Sequence, residues 1–173
     1  MFLVIAYPKL SSKDYQFIQE YRIKNDSLYY DVVEPHFTLV FPVDNLTEDE
    51  FTKEAESLLK DQSKFSFVLR SSVVNQDFSK DYYHEFLVPD EGFSDFIKLH
   101  DKLYSKNLRA NLLLDVDFIP HIGIGNSKKS ADCKKRVDRL NTQDFTIKGE
   151  IDSVSVVEYE NNKITTVKEI MLN

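Results

Sequence analysis

The sequence predicts an α+β fold of two pseudo-symmetric lobes, with mostly antiparallel sheets forming a central cleft and helices packed outside. Three observations predict it. The order helix, histidine-headed strand, helix, two strands occurs twice along the chain. Thirteen Phe and nine Tyr supply the aromatic volume with which sheets pack. Only 4 Gly and 5 Pro are present, too few for a long flexible linker, so residues 1–173 read as a single domain made of two lobes.

Residues 2–7 of MFLVIAYP are β-rich and continuous, the mark of a strand buried on both faces. No cationic segment precedes this run and no small-residue cleavage pattern follows it, so it reads as a strand and not as a signal peptide. SSKDYQFIQEYRIKN predicts a helix, with Ser11 or Ser12 as N-cap and Tyr15, Ile18 and Arg22 at helical spacing. A strand over 36–43 follows, closed by Pro42. In LTEDEFTKEAESLLKDQ, Thr47 caps a helix, Glu50 completes a capping box, and Phe51, Ala55, Leu58 and Leu59 form one face. KFSFVLRSSVV and YYHEFLVP read as two strands joined by a polar connection around Asp77–Asp81. GFSDFIKLHDKLYSK predicts a helix with Phe93, Phe96, Ile97, Leu103 and Tyr104 inward. A strand over 121–125, a helix in SADCKKRVDRLN, and strands near 144–159 and 163–172 complete the chain.

A hydrophobic content of 42% and a charged content of 29% are those of an ordinary soluble globular protein. The net charge of −7 argues against a sequence-independent grip on long nucleic acid, which needs cationic surface. A local basic cleft is still compatible with that charge, so it limits substrate size more than substrate type. The lone Cys133 excludes an internal disulfide, fits a reducing compartment, and reads as a helix-face residue and not as a nucleophile. No apolar run approaches the ~20 residues of a membrane span. A cytoplasmic monomer with no membrane partner is the expectation.

The chemistry sits in PHFTLVFP, residues 35–42, and PHIGIG, residues 120–125. Side chains alternate across a strand, so residues i and i+2 share a face about 6.6 Å apart. Phe37, Leu39 and Phe41 therefore point into the core, with His36 and Thr38 opposite them. Ile122 and Ile124 go inward, and His121 and Gly123 face out. Pro35 and Pro120 fix where each strand begins. Two such strands side by side bring two imidazoles and one hydroxyl to a common cleft. One neutral His can take a proton from water or a hydroxyl, while the other, protonated, gives one to a departing oxygen. Their ordinary pKa near 6.5 makes both states accessible at neutral pH. The Thr38 hydroxyl can hold a phosphate oxygen.

Paired H-x-T/S motifs on strands of a two-lobed fold are what this chain resembles: those of the two-histidine (2H) phosphoesterase superfamily, which includes 2′-5′ RNA ligase-like proteins and cyclic nucleotide phosphodiesterases. PHFTLVFP looks like a complete first motif. The resemblance implies a catalytic role for His36 and a phosphate-binding role for the Thr38 hydroxyl. PHIGIG resembles the second motif, which implies His121 as the other catalytic histidine. Gly123 stands where the family usually has Thr or Ser; the backbone at Gly123, a water or Lys128 are the candidates to bind phosphate in its place. The implied activity is metal-independent hydrolysis of a 2′,3′-cyclic or 2′-5′ phosphodiester of a nucleotide or RNA end, without a cofactor.

The other polar residues read more plainly. His84 is expected as a cross-strand partner and His100 on a helix face. Asp115 and Asp117 fit turn and solvation roles better than metal ligation, and no metal site is expected. Tyr7 belongs in the core. The rivals to hydrolysis are a catalytically weak or inactive domain that binds a nucleotide or RNA end, which Gly123 favours, and 2′-5′ RNA ligase activity. A generic α+β interaction protein would require the two histidines to lie apart.

Overall fold

Nine strands sort into two antiparallel sheets in the structure, a computed structural model that describes residues 1–77 and 81–173. One sheet has the order β3-β1-β8-β9, formed by Phe37–Val43 (β3), Phe2–Ala6 (β1), Ser153–Glu160 (β8) and Lys163–Met171 (β9). The other has the order β2-β7-β4-β5-β6, formed by Lys9–Leu10 (β2), Ile147–Ile151 (β7), Phe65–Gln76 (β4), Tyr83–Glu91 (β5) and Ile122–Ser127 (β6). The expected polar connection at Asp77–Asp81 lies partly outside the described residues. Each sheet takes strands from both halves of the chain, so the histidine strands β3 and β6 are edge strands of different sheets and are not paired side by side.

The run expected as one strand near 144–159 is two. Asp152 stands between β7 and β8 and hands the chain from one sheet to the other. The first strand run makes the same crossing between Ala6 and Lys9. Lys9 pairs with Asp152 where the two crossings meet.

Among the described residues, four α-helices cover the outer faces. Ser11 caps α1 (Ser12–Asn25) by accepting the Asp14 N–H at 3.1 Å. Thr47 and Glu50 form the expected capping box on α2 (Glu48–Leu59), which buries Phe51, Ala55, Leu58 and Leu59. In α3 (Phe93–Leu103) the buried row is Phe96, Leu99, His100 and Leu103, an i, i+3, i+4, i+7 stripe. Phe93 is exposed and Ile97 only half-buried, because that stripe passes through Leu99 and His100 and leaves them on its flanks. Helices α1 and α4 (Ser130–Asn141) pack on the second sheet; α2 packs on the first, and α3 bridges β3 and β5.

Strand β3 departs from simple alternation. Its register against β1 slips by one residue between Thr38 and Val40, so Val40 is buried with Phe37 and Leu39 while Phe41 turns to the opposite side. Pro42 lies inside the strand, tolerated because β3 is an edge. Phe37 stacks on Phe96 at 4.2 Å and meets Phe67 edge-on at 5.1 Å, locking β3, α3 and β4 together directly behind His36.

A buried polar network joins α1 to β6. Arg22 is 2% exposed, and its Nε donates to Asp26 at 3.1 Å. Its Nη2 donates to the carbonyls of Tyr29 and Val33 at 3.0 and 2.8 Å, and so shapes the segment leading into β3. Asp26 in turn accepts from Asn126 Nδ2 on β6 at 2.6 Å. Replacing Asp26 with Ala would leave the guanidinium buried and unpaired. We expect Asp26→Ala to lower unfolding free energy by about 3–5 kcal/mol, and the double change Arg22→Met, Asp26→Leu to cost far less, as read from denaturation midpoints.

Candidate active site

A cavity of about 630 Å³ lies between the sheets. Thr38 and Phe41 of β3 and Tyr159 of β8 line it from one sheet, and His84 and Phe86 of β5 with Gly123 of β6 line it from the other. His36 and His121 both face it. The structure thus brings four sequence-predicted site residues, His36, Thr38, His121 and Gly123, to one cavity. Lys128 is not brought there: its Nζ sits 5.4 Å from the Tyr82 ring centre, outside the lining.

The two imidazoles are held in the same way. His36 Nδ1 lies 2.8 Å from the carbonyl oxygen of Glu34, and His121 Nδ1 lies 2.5 Å from that of Ile119. A carbonyl only accepts, so each Nδ1 carries the hydrogen and each neutral ring leaves Nε2 as a bare base. In both cases the acceptor is residue i−2 and a proline stands between. Pro35 and Pro120 cannot donate a backbone hydrogen and restrict the residue before them, which keeps these carbonyls in place.

Different neighbours reinforce each support. The Glu34 carboxylate accepts from Tyr15 and from Gln19, both on α1. Tyr15 is therefore not a core residue; it is 40% exposed and works through its hydroxyl. On the other side Phe118, next to Ile119, stacks on the buried His100 at 3.7 Å. The His121 ring itself lies flat on Phe86, with centroids 3.5 Å apart and planes 17° apart.

Both histidines are only half-exposed, and the cavity walls strip water from them. Loss of hydration pushes each pKa down from 6.5 to about 4, partly opposed by the carbonyl contact. For His121 the positive charge that His36 and His84 can carry adds to the depression. The ordinary value used in the sequence reading is thus corrected: at neutral pH both free rings are neutral.

Gly123 is open. A Cβ built there meets nothing within 4 Å, so the missing hydroxyl is not excluded by packing. Sequence reasoning missed His84, which lines the cavity between Tyr29 and Phe86 with Nε2 3.6 Å from Asp77. Alternation along β5 puts His84 and Phe86 on one face, and that was the available signal. Asp115 and Asp117 also line the cavity. Tyr7 is half-buried, with its ring edge-on to His36 at 6.4 Å. Among the described residues, no group of three or more His, Cys, Asp or Glu side chains is arranged to hold a metal ion. No helix among them is long and apolar enough to cross a membrane.

Comparison with known proteins bears on the fold and the family. The crystal structure of E. coli LigT in apo form superposes with a TM-score of 0.63 at 15% identity, covering 99% of this chain and 96% of that one. The TT0787 protein of Thermus thermophilus gives 0.63 at 14% identity, with 99% and 97% covered. Kluyveromyces marxianus Usb1 gives 0.57 at 11% identity, with 96% of each chain covered. These superpositions show a shared fold. E. coli LigT has also been crystallised with 3′-AMP. No curated protein matches the chain. The family profile described as the 2′-5′ RNA ligase superfamily matches residues 10–163, and the chain belongs to that superfamily of 2H phosphoesterases.

Proposed function

We propose that the chain is a metal-independent phosphodiesterase that hydrolyses a 2′,3′-cyclic or 2′-5′ phosphodiester of a nucleotide or RNA end, with His36 and His121 as its acid–base pair. In this reading residues 1–173 act as one two-lobed domain, a cytoplasmic monomer. The observation that carries it is the matched pinning of two imidazoles on one cavity, each with Nδ1 tied to a carbonyl and Nε2 left bare. The 3′-AMP bound to E. coli LigT supports a nucleotide as ligand.

In the reaction one Nε2 takes a proton from water as the water oxygen bonds to phosphorus. The bond from phosphorus to the 2′- or 3′-oxygen breaks, and the second, protonated histidine gives that oxygen its proton. A phosphodiester anion between the rings supplies the negative charge that draws a proton onto one of them, against the desolvation that keeps both neutral when free. The Thr38 hydroxyl donates to a non-bridging oxygen. The Gly123 backbone takes the opposite side, where Gly permits close approach. This half of the phosphate site has lost a hydroxyl, which favours the second reading: a binding domain with little or no turnover.

Incubation with 2′,3′-cyclic nucleotides in the presence of EDTA separates the two. Turnover in the wild type that drops by roughly 10²–10⁴ in both His36→Ala and His121→Ala supports the enzyme. Binding without turnover supports the second reading. Because the rings are the working unit, the double substitution should cost little more than either single one.

Gly123→Thr and Gly123→Ser place a hydroxyl in open space. Since one such donor is worth roughly 10²–10³ when fully preorganised, a gain of about tenfold in kcat is expected from either. A loss of activity would show that phosphate already fills that space.

The pH profile follows from the depressed histidines. The free protein needs one ring charged and one neutral, a population greatest near their pKa of about 4. Log kcat/KM should therefore fall with rising pH between 5 and 8, by up to about one unit per pH unit. The kcat profile should lie at higher pH, because bound phosphate raises the donor. A kcat/KM maximum above pH 6.5 would contradict this assignment.

A further inference from the structure

The charges lining the cavity bear on which phosphodiesters it admits. Among the described lining residues the one Lys or Arg is Arg22, and each of its three nitrogens is already bonded inside the protein, to Asp26, Gln19 and the carbonyls of Tyr29 and Val33. It has no need of a ligand anion. The lining also carries Asp115 and Asp117, both exposed on the segment before β6. No ion pair joins either of them to a cation among the described residues. Lys128, the basic residue the sequence offered to the phosphate, stands outside over Tyr82. Asp77 lines the wall as well, 3.6 Å from His84 Nε2, and Asp26 is the partner of Arg22, while Asn75 and Gln76 present amides and Tyr29 and Phe86 flank His84.

We infer that the cleft selects substrates with one negative charge, a nucleoside cyclic phosphate or a dinucleoside phosphodiester without any further phosphate. This rests on the phosphodiesterase reading and narrows it. A diester carries a single charge, and the two imidazoles with Thr38 are placed to receive it. A terminal phosphate adds about 1.5 to 2 more negative charges at neutral pH. It finds no free cation among the described lining residues and meets Asp115 and Asp117, whose like charge repels it. The long 5′-phosphorylated RNA end becomes the poorer substrate, and the small nucleotide the better one.

The test uses a diester that cannot turn over by cyclisation: the methyl ester of 2′-deoxyadenosine 3′-phosphate, with and without a 5′-phosphate. Calorimetric titration of the wild-type protein at low salt should show binding about tenfold tighter for the compound without the 5′-phosphate, a preference that shrinks as salt rises. Asp115→Asn with Asp117→Asn should remove most of the preference. Equal affinities, tighter binding of the 5′-phosphorylated compound, or no binding of either would overturn the inference. So would a preference unchanged by salt. Turnover of cyclic nucleotides without this discrimination would sink the inference and leave the reaction standing. Discrimination without turnover would do the reverse.

Discussion

The site depends on one buried ion pair. Arg22 and Asp26 lie four residues apart at the end of α1, and neither is usefully exposed. Two buried charges are costly to take out of water, and their mutual attraction offsets this only when the remaining donors and acceptors are also satisfied. Here they are. Arg22 directs Nη2 to two carbonyls of the segment that enters β3, and Asp26 accepts from Asn126 on β6 and from the Tyr29 N–H. The two histidine strands belong to different sheets, so no ladder of backbone hydrogen bonds sets their separation. This polar network ties the approach to one strand to the body of the other, while the Phe37–Phe96–Phe67 cluster fixes the apolar side of β3.

The same packing sets the chemistry. Holding an imidazole flat on Phe86, or against Tyr7 beside a proline turn, fixes the ring and dries it. Drying favours the neutral form of both histidines, which suits a base and works against an acid. In the proposed reaction an anionic substrate reverses that balance for whichever ring is nearer the leaving oxygen. Proton donation in that proposal is coupled to the presence of the diester, and without it His36 and His121 keep no standing charge at neutral pH. In the inferred selectivity Asp115 and Asp117, which line the same cavity, act in the same direction on the ligand side by disfavouring any charge beyond the one the rings can use.

Much of this was legible in the sequence because it is written in local signals. The capping box at Thr47 and Glu50 and the proline–histidine starts of the two strands each lie within a few residues, and the structure has both, though in edge strands of different sheets. What the sequence did not disclose depends on distant partners. A one-residue slip against β1 turned Phe41 from core to cavity, and no feature of HFTLVF alone specifies it. The split at Asp152 joins two sheets that only the full topology defines. The buried stripe of α3 runs through His100, a residue that polarity argues out of a core and that stacking on Phe118 brings back in. The histidines' shifted protonation follows from cavity walls made by strands of both sheets, so it too was out of reach of the two motifs.

The central claim is that His36 and His121 are dried, neutral rings that answer to one bound phosphate. Titrating their ring signals by nuclear magnetic resonance, alone and with 3′-AMP, tests it most directly. The expected result is two free rings that protonate near pH 4, with at least one moving upward when ligand binds. Two rings that titrate near 6.5 and ignore the ligand would contradict it.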